Sequence, residues 1–315
     1  RWLSDWSSDV CSSDLGWPRE LQNPTALQHL SQVRQLVLAD RFEEAQALIE
    51  KEMLGPWTES YQPLGHLLVE WKTQGEVSGY RRSLSLDEAV ASCEYLLSGK
   101  EVRISCFVSH PDQVMVYRID SAVPVDLELR LDSLLPHAGA SDGKGRLLMT
   151  GNANSHIEPS YVSVEDSGVY FDKERPGMSF CAMMSVLADG VALAPVGDRY
   201  VLCGARTVEV RLAAATSFQN WKVACPTDPA KPIACCADRL HAVEKKTLEA
   251  LRSDHVADHA ALFDRVQLEL NASATSAETF STDQRLIRFA EGAADDALAI
   301  LLFQYGRYLL IASSR

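Results

Sequence analysis

The sequence predicts a mainly β protein with helices, in which an antiparallel β-sandwich is followed by a helical segment. Two patterns carry this prediction. Between Tyr61 and Phe218, apolar residues alternate with polar ones at a period of two, as in strands with one buried and one solvated face. Outside that stretch, apolar residues recur at helical spacing. Many short alternating strands joined by turn residues are typical of two packed sheets.

The composition is that of a globular protein and argues against two classes of partner. The 315 residues are 46% hydrophobic and 23% charged, and this length suggests about two domains. With 30 basic and 43 acidic side chains, the formal net charge is −13, which repels the phosphates of nucleic acid. No apolar run reaches the length of about eighteen residues that a membrane helix needs. We therefore expect no nucleic-acid partner and no membrane span.

The first fifteen residues are set apart by their composition. They read RWLSDWSSDVCSSDL and lack the apolar stretch of a signal peptide. Residues 5–15 resemble the translation of a short-read sequencing adapter, and the alternative is a polar, disordered tail. We predict that residues 1–15 are an artefact or disordered, and that the first domain begins at residue 16.

Two helices are predicted over residues 24–54. Asn23 is placed to cap the first helix, with Pro24 at its first helical position. Asp40 and Glu43 form the pattern of a capping box, which predicts where the second helix starts.

The strands are recognised by their alternation. Apolar residues occupy positions 102, 104, 106 and 108, then 125, 127, 129 and 131, and finally 208, 210 and 212. The charged residues between them, such as Glu209 and Arg211, are expected on the wet face of the sheet. This pattern extends the predicted sandwich domain over residues 16–218.

The C-terminal part is predicted to be helical. Residues 225–232 are predicted to form a Pro-rich linker within a stretch of linker helices over 219–270, which ends in a short strand at 266–270. Two further helices are predicted at about 283–290 and 295–312. The last one is apolar all round, so it is expected to be buried on every side. Nothing after Arg315 could bury it, and we expect the chain to stop inside a domain that begins at residue 271.

His255, Asp258 and His259 are the candidates for a metal site, because two imidazoles one helical turn apart are typical of helical zinc sites. No third ligand is identifiable, so an ordinary packed or solvated helix is the favoured interpretation. Cys225, Cys235 and Cys236 are close in sequence but form no CxxC pair, which supports neither a zinc knuckle nor a redox site. The remaining cysteines are expected to be buried free thiols, with disulfides as the alternative: Cys93, Cys106, Cys181 and Cys203.

Two loops hold further candidates. The Gly-rich segment 139–145 contains Lys144 but lacks the Gly-Lys-Ser/Thr ending of a phosphate loop, so it is predicted to be a hairpin connection. His137, His156 and Glu158 could line a cleft, or they could be solvated loop residues. No nucleophile elbow, Ser-His-Asp order or dinucleotide fingerprint is present. The residues alone therefore identify no catalytic, cofactor-binding or metal-binding residue.

Several strings, in this order, resemble glycoside hydrolase family 95, the α-L-fucosidase family. Three lie in the N-terminal half: NPTALQHLSQVRQLVLADRFEEAQALIEKE at 23–52, YQPLG at 61–65 and YRRSLSLDEAV at 80–90. Four follow: SHPDQVMVYR at 109–118, LAAATSF at 212–218, HVADHAALFDRV at 255–266 and AILLFQYGRYLLIASSR at 299–315. The resemblance covers residues 16–315, apart from an insertion around 225–236.

The resemblance implies an N-terminal sandwich, a helical linker and the first helices of an (α/α)6 catalytic barrel on which the sandwich packs. It implies hydrolysis of terminal α-1,2-linked L-fucose, or of a related sugar such as α-L-galactose, with inversion and without metal or cofactor. The implied substrate is a fucosylated oligosaccharide. The family's catalytic Glu, Asp and asparagines belong to barrel segments absent here, so no catalytic residue carries over and this piece alone is expected to be inactive.

Two other functions remain open at this stage. One is a non-catalytic carbohydrate-binding sandwich, which would expose aromatic residues on one sheet face. The other is a phosphorylase with a sandwich and a barrel. The location of the parent is also open, since extended glycan substrates favour an extracytoplasmic site and free cysteines favour a reducing compartment.

Overall fold

The structure is a computed structural model that describes residues 23–55, 60, 62–159, 161–162, 166–220, 223, 227–270 and 280–314. The adapter-like segment at 5–15 lies outside the described residues, and so does Cys225. The described residues form six helices: α1 (Ala26–Leu38), α2 (Phe42–Glu52), α3 (Ala230–Val243), α4 (Leu248–Phe263), α5 (Thr282–Ala290) and α6 (Asp296–Ser313). No helix in these ranges is long and apolar enough to cross a membrane.

Strands occupy the stretch between the two groups of helices. The first six are β1 (His66–Trp71), β2 (Val77–Ser85), β3 (Val90–Leu97), β4 (Lys100–Ser109), β5 (Val114–Asp132) and β6 (His137–Ser141). The other six are β7 (Leu147–Asn152), β8 (His156–Ile157), β9 (Val169–Tyr170), β10 (Ser179–Ala188), β11 (Val191–Ala192) and β12 (Arg199–Thr216). All pairings are antiparallel, which confirms the predicted class of sheet.

The main sheet has ten strands in the order β2-β3-β4-β5-β12-β10-β7-β6, with β1 paired to β5 and β11 to β10. The long strand β12 pairs with β5 and β10, and the long strand β5 pairs with β12, β4 and β1. The first half of β5 pairs with β4 and its second half with β1, while β12 shifts register between Leu202 and Thr207. Such irregularities bend strands. Leu97 and Val102 consequently share one core cluster with Leu127 and Leu129, as expected of a sandwich.

The prediction that Glu209 and Arg211 lie on a solvated face of β12 is wrong. Glu209 and Arg211 are only 6% and 5% exposed, because α3 packs on β10 and β12 and covers them. A second core cluster lies under the linker helices and includes Cys236, Leu240 and Leu251. A helix covers part of β4 in the same way. Phe107 is buried against α4 and Val108 is 45% exposed, which reverses the predicted alternation at these two positions.

The helix starts differ from the predicted caps. Asn23 precedes α1 by a turn: its Oδ1 accepts hydrogen bonds from the Thr25 N–H (3.0 Å) and hydroxyl (2.7 Å), and its Nδ2 donates to the Glu52 carbonyl (2.9 Å). It therefore ties α1 to the end of α2. The capping box at Asp40 is also wrong, because Asp40 adopts a left-handed conformation (φ 56°) and Arg41 precedes α2, where it pairs with Glu44.

Two predictions for the C-terminal part are corrected, and the expected burial of α6 in a complete domain stays a prediction. Pro232 lies inside the first turn of α3, where a missing N–H costs nothing, so the linker is shorter than 225–232. Residues 266–270 form no strand, and Val266 is 47% exposed. None of the α6 side chains is buried by the described residues, and Leu302 and Leu310 are 71% and 67% exposed.

Candidate functional site

The two histidines proposed from their spacing lie inside the protein, on α4. His255 and His259 are 3% and 1% exposed. Their Nε2 atoms lie 3.2 Å from the Ala89 carbonyl oxygen and 2.8 Å from that of Leu86. Because a carbonyl only accepts, both imidazoles donate from Nε2. Of the packed and the solvated helix, the structure shows the packed one, in which the histidines fasten α4 to the turn at 86–89.

These rings belong to a stacked column that crosses the linker helix. Phe107 of β4 stacks on His255 at 5.0 Å between ring centroids, and Phe263 stacks on His259 at 5.2 Å. The guanidinium of Arg307, on α6, lies 4.6 Å from the Phe263 ring centroid and donates to the Val266 carbonyl oxygen at 2.9 Å. The column therefore joins the sheet to α6. Across the described ranges, no group of three or more His, Cys, Asp or Glu is placed to hold a metal.

The described cysteines are all free thiols: Cys93, Cys106, Cys181, Cys203, Cys235 and Cys236. The Cys236 thiol donates to the Cys181 carbonyl oxygen at 3.5 Å inside the second core cluster. A hydrogen bond with the Cys181 side chain, followed by burial, raises the pKa of Cys236 far above its ordinary value. Burial raises the pKa of Cys106 to about 12. The prediction of buried free thiols is wrong for Cys203, which is exposed at the bulge of β12.

The Gly-rich segment is a hairpin connection between β6 and β7, as predicted. Asp142 accepts hydrogen bonds from the N–H groups of Lys144 (2.8 Å) and Arg146 (3.0 Å). Its carboxylate lies 2.6 Å from the Arg146 guanidinium, which also donates to the Ala237 carbonyl oxygen at 3.1 Å. Partial burial opposes ionisation, but the hydrogen bonds from Arg146 and Lys144 outweigh it and lower the pKa of Asp142.

Of the three loop residues, the structure brings together His156 and Glu158. Their Nε2 and Oε1 atoms are 2.8 Å apart, and the His156 ring stacks on Tyr170 at 5.5 Å with an interplanar angle of 8°. His137 is engaged elsewhere: its Nε2 lies 3.5 Å from the Asp132 carboxylate and its Nδ1 lies 2.9 Å from the Leu135 carbonyl oxygen. The candidate functional site therefore lies in the connection between β7 and β10, which we name the β7–β10 loop and of which the structure describes residues 153–159, 161–162 and 166–178.

Backbone hydrogen bonds fix the shape of the β7–β10 loop. The Ala153 N–H donates to the Met178 carbonyl oxygen (2.9 Å), and the Glu158 N–H donates to that of Gly168 (2.8 Å). A Cβ on Gly177 would lie 2.3 Å from the Asn154 carbonyl oxygen, so only glycine fits where the two ends of the loop meet. These contacts join the two ends of the loop and pair Glu158 with Gly168.

Four further residues of the loop are not predicted by the sequence analysis. Asp166 accepts hydrogen bonds from the Gly168 N–H and the Tyr170 hydroxyl, both at 2.9 Å, which lower the pKa of Asp166 and raise that of Tyr170. Phe171 is 53% exposed. Asn154 is fully buried, and neither its Oδ1 nor its Nδ2 has a hydrogen-bond partner among the described residues. The run of Tyr, Asp and Gly between two strands is the only sequence signal for them.

Comparison with known proteins gives two family matches in succession. The family described as "Glycosyl hydrolase family 65, N-terminal domain" matches residues 12–221. The family described as "Glycosyl hydrolase family 95 catalytic domain" matches residues 247–315. Residues 222–246, which include α3, lie between the two matches.

Individual relatives agree with these matches. The Arabidopsis thaliana protein "Alpha-L-fucosidase 2" is 31% identical over 95% of this chain and 37% of its own length. An Aspergillus niger protein with the name "Probable alpha-fucosidase A" is 28% identical over 82% of this chain and 32% of its own length. A solved family GH92 alpha-mannosidase from Bacteroides thetaiotaomicron is 10% identical over 68% of this chain and 31% of its own length, with a TM-score of 0.36. The chain spans about a third of the length of the curated relatives it matches.

Proposed function

Since the chain belongs to the glycosyl hydrolases, with a family 65 N-terminal domain and a stretch of family 95 catalytic domain, we propose that the whole protein is an α-L-fucosidase. Its substrate is a fucosylated oligosaccharide, from which it removes terminal α-1,2-linked L-fucose or a related sugar. The observation that carries the proposal is the succession of the two family matches in a chain that resembles a plant α-L-fucosidase over 95% of its residues.

The reaction requires two carboxyl groups, one as the acid and one as the base. In an inverting glycosidase, an acid protonates the leaving oxygen while a base activates water on the opposite face of the sugar. The polar clusters of this chain have structural partners: the α4 histidines bind backbone carbonyls, and Asp142 binds backbone N–H groups. We therefore place the acid and the base in parts of the catalytic domain outside this chain.

The division of the chain is part of the proposal. Residues 16–218 form the sandwich domain, 219–270 the linker helices and 271–315 the beginning of the barrel. The stacked column supports a sandwich packed on its own barrel, because α4 touches the sheet through His255 and Phe107 and touches α6 through Phe263 and Arg307. The sandwich would then hold the barrel's first helices in place.

The proposal is tested on a version of the protein extended past Arg315 to include the rest of the catalytic domain. Incubated with 2′-fucosyllactose, it should release L-fucose, first seen as the β-anomer in proton NMR because the reaction inverts the configuration. Absence of fucose or galactose release from α-linked substrates contradicts it. Release of a sugar phosphate that requires inorganic phosphate identifies a phosphorylase instead.

A further inference from the structure

We propose that Cys181 and Cys236 form a disulfide that ties helix α3 to the sheet when the chain folds under oxidising conditions. Cys181 lies on β10 and Cys236 on α3, and both are fully buried. The structure holds them as free thiols, which is the reduced state of the pair. The proposal concerns this chain and does not rest on the proposed function.

The first argument is the packing of α3 on the sheet. Cys181 shares a core cluster with Ala213 of β12, and Cys236 and Leu240 enter the same cluster from α3. Cys236 and Leu240 are four positions apart, so they lie on one face of the helix. Ala215 is the cross-strand neighbour of Cys181 and packs against this cluster. Because protein interiors are close-packed, the small side chains of the two alanines let α3 come close to Cys181.

The second argument is the contact between the two cysteines. The Cys236 Sγ lies 3.5 Å from the carbonyl oxygen of Cys181 and is also hydrogen-bonded to the Cys181 side chain. A disulfide holds its two sulfurs about 2.05 Å apart. Since the thiol of Cys236 already contacts both the side chain and the backbone of Cys181, the bond replaces an existing contact between two neighbouring groups.

The third argument distinguishes this pair from the other described cysteines. Cys235 is next to Cys236 in the helix, but adjacent helical positions point in different directions, and Cys235 is not fully buried. Cys93 and Cys106 lie on the paired strands β3 and β4 but are not register partners. Cys203 is exposed at the bulge of β12. The geometry therefore favours Cys236 as the partner of Cys181.

The chemistry is thiol–disulfide exchange with a disulfide oxidant, such as oxidised glutathione or the disulfide of an oxidoreductase. One cysteine thiolate attacks the oxidant, which forms a mixed disulfide and releases one thiol. The second cysteine then attacks the mixed disulfide, which forms the bond between Cys181 and Cys236 and releases the second thiol. The chain loses two electrons and two protons, and the oxidant is reduced to two thiols. Burial shields both cysteines in the packed structure, so the exchange takes place before α3 has packed on the sheet.

The test refolds the reduced chain from urea in a buffer of reduced and oxidised glutathione, and then blocks the remaining thiols with iodoacetamide. Peptide mass spectrometry without reduction should find a cross-link between Cys181 and Cys236 in most chains. The oxidised chain should unfold at a higher urea concentration than the reduced chain. The two cysteines are about 55 positions apart, and such a cross-link lowers the conformational entropy of the unfolded chain. Dithiothreitol should abolish the difference.

The matched control is Cys235→Ala, which removes the adjacent thiol and should leave the cross-link and the urea shift unchanged. Cys236→Ala should abolish both. The peptide result on the parent chain decides the matter even if Cys236→Ala does not fold. Three results overturn the proposal: alkylation of both Cys181 and Cys236 in the refolded chain, cross-links to Cys235 at equal yield, or a cross-link that leaves the urea midpoint unchanged. None of them depends on fucose release, so the two proposals fail separately.

Discussion

Arg211 and Glu209 form an ion pair at 2.6 Å on the face of β12 that the linker helices cover. The guanidinium also donates to the carbonyl oxygens of Val243 and Lys246, the latter at 2.8 Å, where α3 ends. Val243 is the last residue of α3 and Lys246 lies in the turn that follows it. A cation at a helix C-terminus is favourable. The pair therefore fastens the linker to the sheet, and it accounts for two charged residues in a buried position.

Arg211→Met should lower the free energy of unfolding by about 3 kcal/mol, because it leaves the buried Glu209 without its closest cation and removes the hydrogen bonds to the Val243 and Lys246 carbonyl oxygens. Urea unfolding followed by circular dichroism measures this. Arg103→Met is the control: Arg103 pairs with Glu94 and Glu101 on the surface, and its loss should cost about 0.5 kcal/mol or less. Equal losses in the two variants would mean that the buried pair does not fasten the linker.

His259→Phe should destabilise the protein by about 1–2 kcal/mol, because it keeps a ring in the stacked column but removes the donor to the Leu86 carbonyl. Hydrogen exchange of α4 should accelerate in parallel. His241→Phe changes a histidine whose side chain is 79% exposed and should leave stability within about 0.5 kcal/mol. The account of α4 fails if the two variants unfold at the same urea concentration.

Asp142→Asn should destabilise the protein at pH 6 by about 1 kcal/mol, a modest value because water partly screens the carboxylate. The pKa of Asp142 is lowered in the folded protein below its ordinary value of 3.8. A lowered pKa means that the ionised group stabilises the fold above its unfolded pKa, and that this contribution is lost as the pH falls through the folded pKa. The difference between parent and variant should therefore shrink from pH 6 to pH 3. A difference that stays constant or grows over this range contradicts the assignment.

The thiols should react with alkylating reagents at very different rates. Cys203 is exposed, whereas Cys236 is fully buried and its pKa is raised, so little reactive thiolate forms there. Brief treatment of the native protein with iodoacetamide at pH 8, followed by peptide mass spectrometry, should label Cys203 and leave Cys236 unmodified until urea is added. Labelling of Cys236 at the rate of Cys203 would show that α3 does not stay packed on the sheet in solution.

The sequence predicts the helices and strands better than it predicts which of their faces are covered by other parts of the chain. Alternation gives β5 its buried residues Leu127 and Leu129 correctly, because period two reports one face of a strand directly. Alternation fails at Glu209 and Phe107, because helices from later in the chain cover the faces on which these residues lie. A local sequence pattern does not reveal such a contact. The residues at which it fails are those that position the linker.

The candidate site, too, can be predicted from the sequence only in part. His156 and Glu158 are recognisable as polar residues in a loop, but their contact with Tyr170 depends on the pairing of β8 with β9. The unpartnered amide of Asn154 depends on burial by surrounding residues, which the sequence does not reveal. Resemblance to a family supplies what periodicity cannot, namely the activity of the whole protein.

The most direct test of the central claim compares this chain with the extended protein in one assay of fucose release from 2′-fucosyllactose. The account predicts steady release of L-fucose by the extended protein and none above background by residues 1–315, because the acid and base lie outside this chain. Turnover by residues 1–315 alone, or none by a folded extended protein, would contradict it.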